Sequence, residues 1–138
     1  MATSAQAYIL PDDILSAILE LARRQAKEKE DRLAFRGHDK DLQQIFFDLS
    51  QKPEYSLLRH FVFSRSGPRP YSPALSDSVS KLQLAGLLGR ENPDYEVLFT
   101  TPSAIEFYDD VLSKQFPPEQ INQLREIAKE FLSRIRVE

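Results

Sequence analysis

Apolar residues recur along this chain in two rhythms, one helical and one strand-like. Ile14, Leu15, Ile18, Leu19 and Ala22 form a first helical stripe. Pro11 suits the first helical position, and Asp12 and Asp13 suit the positive end of the helix dipole. The polar run RRQAKEKEDR predicts that this helix continues in solvent and frays near Arg32, after which AFRGHD reads as a connector hinged at Gly37. Asp39 is placed to cap a second helix. Its stripe, Leu42, Ile45, Phe46 and Leu49, keeps the spacing of one helix face, and Pro53 lies just beyond its end. Phe61 and Phe63 then alternate with Val62 and Ser64, which predicts a short strand from Arg59 to Ser64.

The next stretch, GPRPYSPALSDSVSKLQLAGLL from Gly67 to Leu88, carries the strongest local signals. Pro68 and Pro70 push the residues before them toward extended backbone, so a helix cannot start there. Ser72 as N-cap and Pro73 as first helical residue open one immediately afterwards. Leu75, Val79 and Leu82 supply its buried stripe, and Gly86 supplies the left-handed stop, with Leu87 as its apolar partner. LLGRE and YEVLFTT read as strands joined by turn chemistry at Asn92-Pro93-Asp94. Thr101 and Pro102 repeat the cap-and-proline signal for a fourth helix through about Lys114, with Ile105, Tyr108 and Leu112 on one face. FPPE breaks it. A last helix from Pro118 carries Ile121, Leu124, Ala128, Phe131, Leu132 and Ile135. Three helices, a strand and a hairpin directly after the third helix predict an α+β winged helix, a variant of helix-turn-helix. The expected core spans about 39–100, with helical extensions over 11–32 and 102–136, all in a single domain.

The chain has 138 residues, no cysteine and two histidines, His38 and His60. That composition excludes disulfides and thiolate metal sites and offers no spacing for a histidine centre, so no cofactor is expected. No apolar run approaches a membrane span, and the N-terminal residues lack the pattern of a signal peptide, so the expected location is cytoplasmic, away from membranes. Net charge is −3, yet it is unevenly spread: from Ser56 to Arg90 five basic residues stand against Asp77 alone, a net of +4, and the rest of the chain nets −7. The basic segment therefore coincides with the third helix and its approach, which points to a partner-binding face.

DKDLQQIFFDL and FVFSRSGPRPYSPALSDSVSKLQLAGLL resemble a winged-helix family of small prokaryotic proteins, the YwgA-like and Panacea, SocA-like group. Leu42, Gln43, Ile45 and Phe46 match the family's first motif. Gly67, Pro68, Tyr71, Ser72, Leu75, Val79, Leu82, Gly86 and Leu87 match the second, although Arg69 and Pro70 interrupt a Gly-Pro-Tyr-Ser run that the family usually reads straight through. The resemblance covers about Asp39 to Thr100. It implies either a transcription regulator or an antitoxin or adaptor that binds a protein.

For a DNA-binding regulator, Ser76, Asp77, Ser80, Lys81 and Gln83 are the outward residues of the third helix that would face double-stranded DNA in the major groove. Arg65 and Arg69 would reach phosphate from the preceding loop, and Arg90 from the wing. Asp77 and the acidic wing residues Glu91, Asp94 and Glu96 oppose phosphate. For a protein partner, the same face would serve with Tyr71, Tyr95 or Phe99 as anchors. Catalysis is not expected: His60 beside Arg59, and Glu106, Asp109 and Asp110, come with no nucleophile motif, phosphate loop or metal spacing. The apolar stripes of the first and last helices predict a homodimer through these terminal helices, the alternative being that they cover each other within one chain.

Overall fold

A helix buried on every side needs small or apolar residues around its whole circumference. ILSAILELA meets that demand: every residue from Ile14 to Ala22 is buried in α1 (Pro11–Gln25). The computed structural model describes residues 9–26, 31–91 and 96–138. After α1 come β1 (Ala34–Arg36), α2 (Asp39–Ser50), a 3-10 turn (Ser56–His60), α3 (Pro73–Leu84), β2 (Leu88–Arg90) and β3 (Val97–Thr100). Next, α4 begins as Pro102–Phe107, widens to a π turn over Tyr108–Leu112 and closes with Ser113–Gln115; α5 is Pro118–Arg134. The protein is thus α+β, with five helices and a small three-stranded antiparallel sheet among the described residues.

Buried Glu20 is the one carboxylate inside α1's covered stretch, and it is bonded to Arg23 at 2.8 Å and Arg24 at 2.7 Å. A charge removed from water is tolerable only with such partners. The stripes of α1 and α5 meet each other: Leu124, Ile127, Ala128 and Phe131 are buried in the same core cluster as Ile14 to Ala22. The Phe131 ring lies 5.7 Å from Phe35, edge to face, and 5.4 Å from Phe46, so α5, β1 and α2 share one aromatic centre. Cover within one chain removes the reason given above for pairing the terminal helices between two chains.

The sheet has the order β1-β3-β2, with Phe35 opposite Leu98 and Gly89 opposite Phe99. A side chain at Gly89 would collide with the Phe99 ring, which lies across this position. The outer edge of β1 is closed by the chain's last residues: Arg36 N donates to Arg136 O at 2.8 Å, and Glu138 N donates to Ala34 O at 2.9 Å. An edge closed in this way offers few free backbone groups for stray pairing.

Several expectations need correction. AFRGHD is not a plain connector, since Ala34–Arg36 is β1, paired to a strand more than 60 positions later. Arg59–Ser64 is not a strand. Arg59 and His60 belong to the 3-10 turn Ser56–His60, which buries Leu57 and Leu58. Only Ser64 pairs, in an isolated bridge to Tyr71. The first helix ends at Gln25 instead of running toward Arg32. The N-cap of α2 is His38, whose Nδ1 accepts from Lys40 N at 3.2 Å, and Asp39 is the first helical residue. The turn Asn92-Pro93-Asp94 and Tyr95 lie outside the described residues.

Candidate nucleic-acid or protein interface

The start of α3 is fixed by the chemistry its sequence announces. Ser72 Oγ accepts from Leu75 N at 3.2 Å, and Pro73 follows as first helical residue. At the far end Gly86 has φ +80°, Gly86 N donates to Gln83 O at 3.1 Å, and Leu87 N donates to Leu82 O at 2.9 Å. This is the double-bonded glycine stop that turns the chain into β2. Thr101 ties the same turn to α4, donating its hydroxyl to Gly86 O at 2.7 Å.

The angle between α2 and α3 is held by a residue whose role the sequence reading did not single out. Gln43 is buried; its amide accepts from Ser72 N at 2.8 Å and donates to Ser72 O at 3.0 Å. The same Nε2 donates to Ser76 Oγ at 3.0 Å, and Ser76 Oγ donates to Asp39 Oδ1 at 2.9 Å. One side chain thereby bonds both backbone groups of the α3 cap, and Ser72 O accepts from Ser76 N as well, at 3.3 Å. The available signal was a glutamine flanking the apolar stripe of α2, next to Leu42.

That network divides the predicted α3 residues. Asp77, Ser80 and Lys81 are exposed and share the outer face with Leu84, which is 89% exposed. Ser76 and Gln83 are not part of that free face. Ser76 is half-buried in the network with Asp39 and Gln43. Gln83 is half-buried, its Nε2 donating to Val79 O at 3.3 Å and its Oε1 accepting from Arg90 Nε at 2.9 Å. A helical wheel put both outward, but they lie on its flanks, where α2 and the β2–β3 hairpin reach them.

Between α2 and α3 the chain from 64 to 71 makes a small hairpin of its own. Ser64 N donates to Tyr71 O at 2.7 Å, and Tyr71 N donates to Ser64 O at 3.0 Å. This closes the loop that presents Arg65 and Arg69, both exposed. The Arg65 guanidinium lies 5.3 Å from the Phe47 ring, and Phe47 meets Phe63 edge to face at 5.5 Å. Val62 beside the loop is 73% exposed and Tyr71 44%.

Six cations outside this segment are neutralised by acids among the described residues. Arg23, Arg24, Arg32, Arg36, Lys52 and Arg134 all sit in ion pairs. Glu130 receives Lys52 at 2.8 Å and the Tyr55 hydroxyl, and these two bonds hold its carboxyl down at about 2; burial, with Glu130 beside it, pushes the Tyr55 phenol up. At the base of the β2–β3 hairpin Glu91 pairs with Arg32 at 3.3 Å, and that guanidinium covers Phe99 at 4.5 Å, which half-buries this expected anchor. Among the described residues Arg59, Arg65, Arg69 and Lys81 make no ion pair with any acid, and neither do Lys40, Lys114, Arg125, Lys129 and Arg136 outside this segment.

The residues weighed for catalysis are dispersed. His60 and Arg59 are exposed on the 3-10 turn, Glu106 and Asp110 are exposed on α4, and Asp109 is bonded to Arg24 at 2.8 Å. Among the described residues no group of three His, Cys, Asp or Glu is placed to hold a metal ion, and no helix is long and apolar enough to cross a membrane. A groove of about 670 Å³ lies between the ends of α1 and α5 beside β1, and none of the predicted site residues lines it. Compared with known proteins, the chain matches no family model, no curated protein and no solved structure.

Proposed function

We propose that this chain is a DNA-binding transcription regulator of winged-helix type, with α3 as the helix that enters the major groove. The chain order supports the fold reading: α1, β1, α2 and α3 precede a β2–β3 hairpin that starts directly after α3. The functional reading rests on one observation. The basic segment is exposed and holds a single acid, Asp77, and among the described residues four of its five cations, Arg59, Arg65, Arg69 and Lys81, make no ion pair. Exposed, unneutralised cations gathered in one segment favour a polyanion.

A second reading, a protein-binding adaptor or antitoxin, is favoured by a different observation. Leu84 and Val62 are the most exposed large apolar side chains described, and both lie in or next to this segment. Apolar and arginine side chains together are what protein interfaces bury. Binding of the purified chain to fragmented DNA of its own organism, at two salt concentrations, decides between them. Sequence-selective binding that weakens with salt, and is lost when Arg65, Arg69 and Lys81 become alanine, is the expected result. No binding at low salt transfers the function to the protein-binding reading.

A further inference from the structure

In a helix-turn-helix the two helices are joined by a turn of about 3–4 residues. Here α2 ends at Ser50 and α3 begins at Pro73, and the intervening chain holds both the 3-10 turn and the 64–71 hairpin. The molecule therefore carries two hairpins beside α3, one at each end of the helix. Tyr71 closes the first hairpin immediately before the cap Ser72, and β2 opens the second directly after the stop at Gly86.

The two differ in the charge they offer. The stretch from Glu91 to Thr101 contains no lysine or arginine and three acids, Glu91, Asp94 and Glu96. Its one flanking cation, Arg90, donates to Gln83. The 64–71 loop contains two arginines and no acid. Its prolines at 68 and 70 fix their φ angles, and its ends exchange both backbone hydrogen bonds, so the loop is held before any partner arrives. The Arg65 guanidinium lies over the Phe47 ring at 5.3 Å and makes no ion pair among the described residues, so its N–H groups remain able to donate.

We infer that the 64–71 hairpin, and not the β2–β3 wing, is the element that grips the phosphate backbone, with Arg65 and Arg69 each taking one phosphate beside the groove that α3 enters. This rests on the DNA-binding reading proposed above. It assigns the phosphate contacts to an insertion in the turn and not to the strand pair β2–β3.

The test is the salt dependence of binding to a mixed-sequence DNA duplex, measured for the full chain, for R65A/R69A, for R65K/R69K and for R90Q. Each phosphate neutralised adds about 0.9 to the slope of log affinity against log salt. The expected result is a slope shallower by about 2 in R65A/R69A, with R65K/R69K and R90Q matching the unmodified chain. An unchanged slope in R65A/R69A overturns the inference while leaving DNA binding intact. So does a loss confined to R90Q, and so does an equal loss in the lysine variant, which would trace the effect to loop shape instead of charge. Failure of the unmodified chain to bind any duplex at low salt overturns the DNA-binding reading, and this inference with it.

Discussion

Arg24 and Arg65 both lay a guanidinium over an aromatic ring, Arg24 at 4.7 Å from Tyr108 and Arg65 at 5.3 Å from Phe47. Around Arg24 the fold also supplies Glu20 and Asp109, so its charge is spent joining α1 to α4. No carboxylate pairs with Arg65 among the described residues. The first arrangement satisfies a cation; the second orients one and leaves it unneutralised. The same contrast extends to the surfaces around them. The α1–α5 side is a buried core in which Glu20 and Glu130 are held by cations, and the α3 side exposes Leu84, Val62 and, among the described residues, Arg65 and Arg69 without an ion pair. Buried packing is concentrated on the first side, and the exposed apolar side chains Leu84 and Val62 lie on the second.

The largest effect that separates the two sides is expected from Phe131→Ala. Phe131 is fully buried and packs on Phe35 and Phe46, so truncation opens a cavity that three elements line. The loss should be about 3–5 kcal/mol of unfolding free energy in a urea titration. A loss below about 1 kcal/mol would mean that the aromatic centre is not what holds α5, β1 and α2 together.

Gln43→Leu probes the joint between the two sides. The substitution keeps the volume but strands the buried Ser72 N–H, while Ser72 O keeps its bond from Ser76 N, at a cost of about 1–3 kcal/mol. It should also weaken binding on the α3 face, because the cap network sets where α3 lies. Unchanged stability would show that another group or water takes the place of the amide.

Glu130→Gln should act through pH. Lys52 and the Tyr55 hydroxyl hold the folded carboxyl at about 2, below its ordinary value of 4.5. A depressed pKa gives stability that is fully present above the unfolded value and is lost as pH falls from about 5 toward 2. The side chain is a quarter exposed, so the contribution is on the order of 1–2 kcal/mol. Unfolding free energies measured at pH 7 and pH 3 should converge for the native chain and E130Q at the lower pH. A constant gap between them would place the carboxylate's contribution outside this cluster.

How much of this was legible in the sequence follows from how local each signal is. Ser72, Pro73, Gly86, Thr101 and Pro102 act on backbone groups within a few residues, so the caps and stops of α3 and α4 could be read directly. The strand β1 is three residues long, too short for an alternating pattern to stand out, and Ala34 finds its partner at Phe99. Arg59–Ser64 has strand-forming residues but no neighbouring strand beyond the Ser64–Tyr71 bridge, and propensity gives way to that context. For the site, periodicity placed Asp77, Ser80 and Lys81 correctly on the outer face. It misplaced Ser76 and Gln83, because helical angle alone says nothing of Asp39, Gln43 or Arg90 waiting at the flanks.

The smallest expected effect on stability, and the sharpest on the comparison itself, belongs to Leu84→Ser. Leu84 is 89% exposed at the last turn of α3, with Gly86 closing the helix beyond it. It has almost no apolar surface to lose on folding, so its replacement should change unfolding free energy by no more than about 0.5 kcal/mol. If the α3 face meets a protein, removing this side chain should weaken binding by about tenfold or more, as truncation of a buried interface residue does. If the face meets DNA, the loss is confined to one apolar contact with a base methyl, and the salt dependence carried by Arg65 and Arg69 should be untouched. Binding of L84S and of R65A/R69A to the same partner, compared side by side, therefore separates an interface held by an apolar anchor from one held by charge.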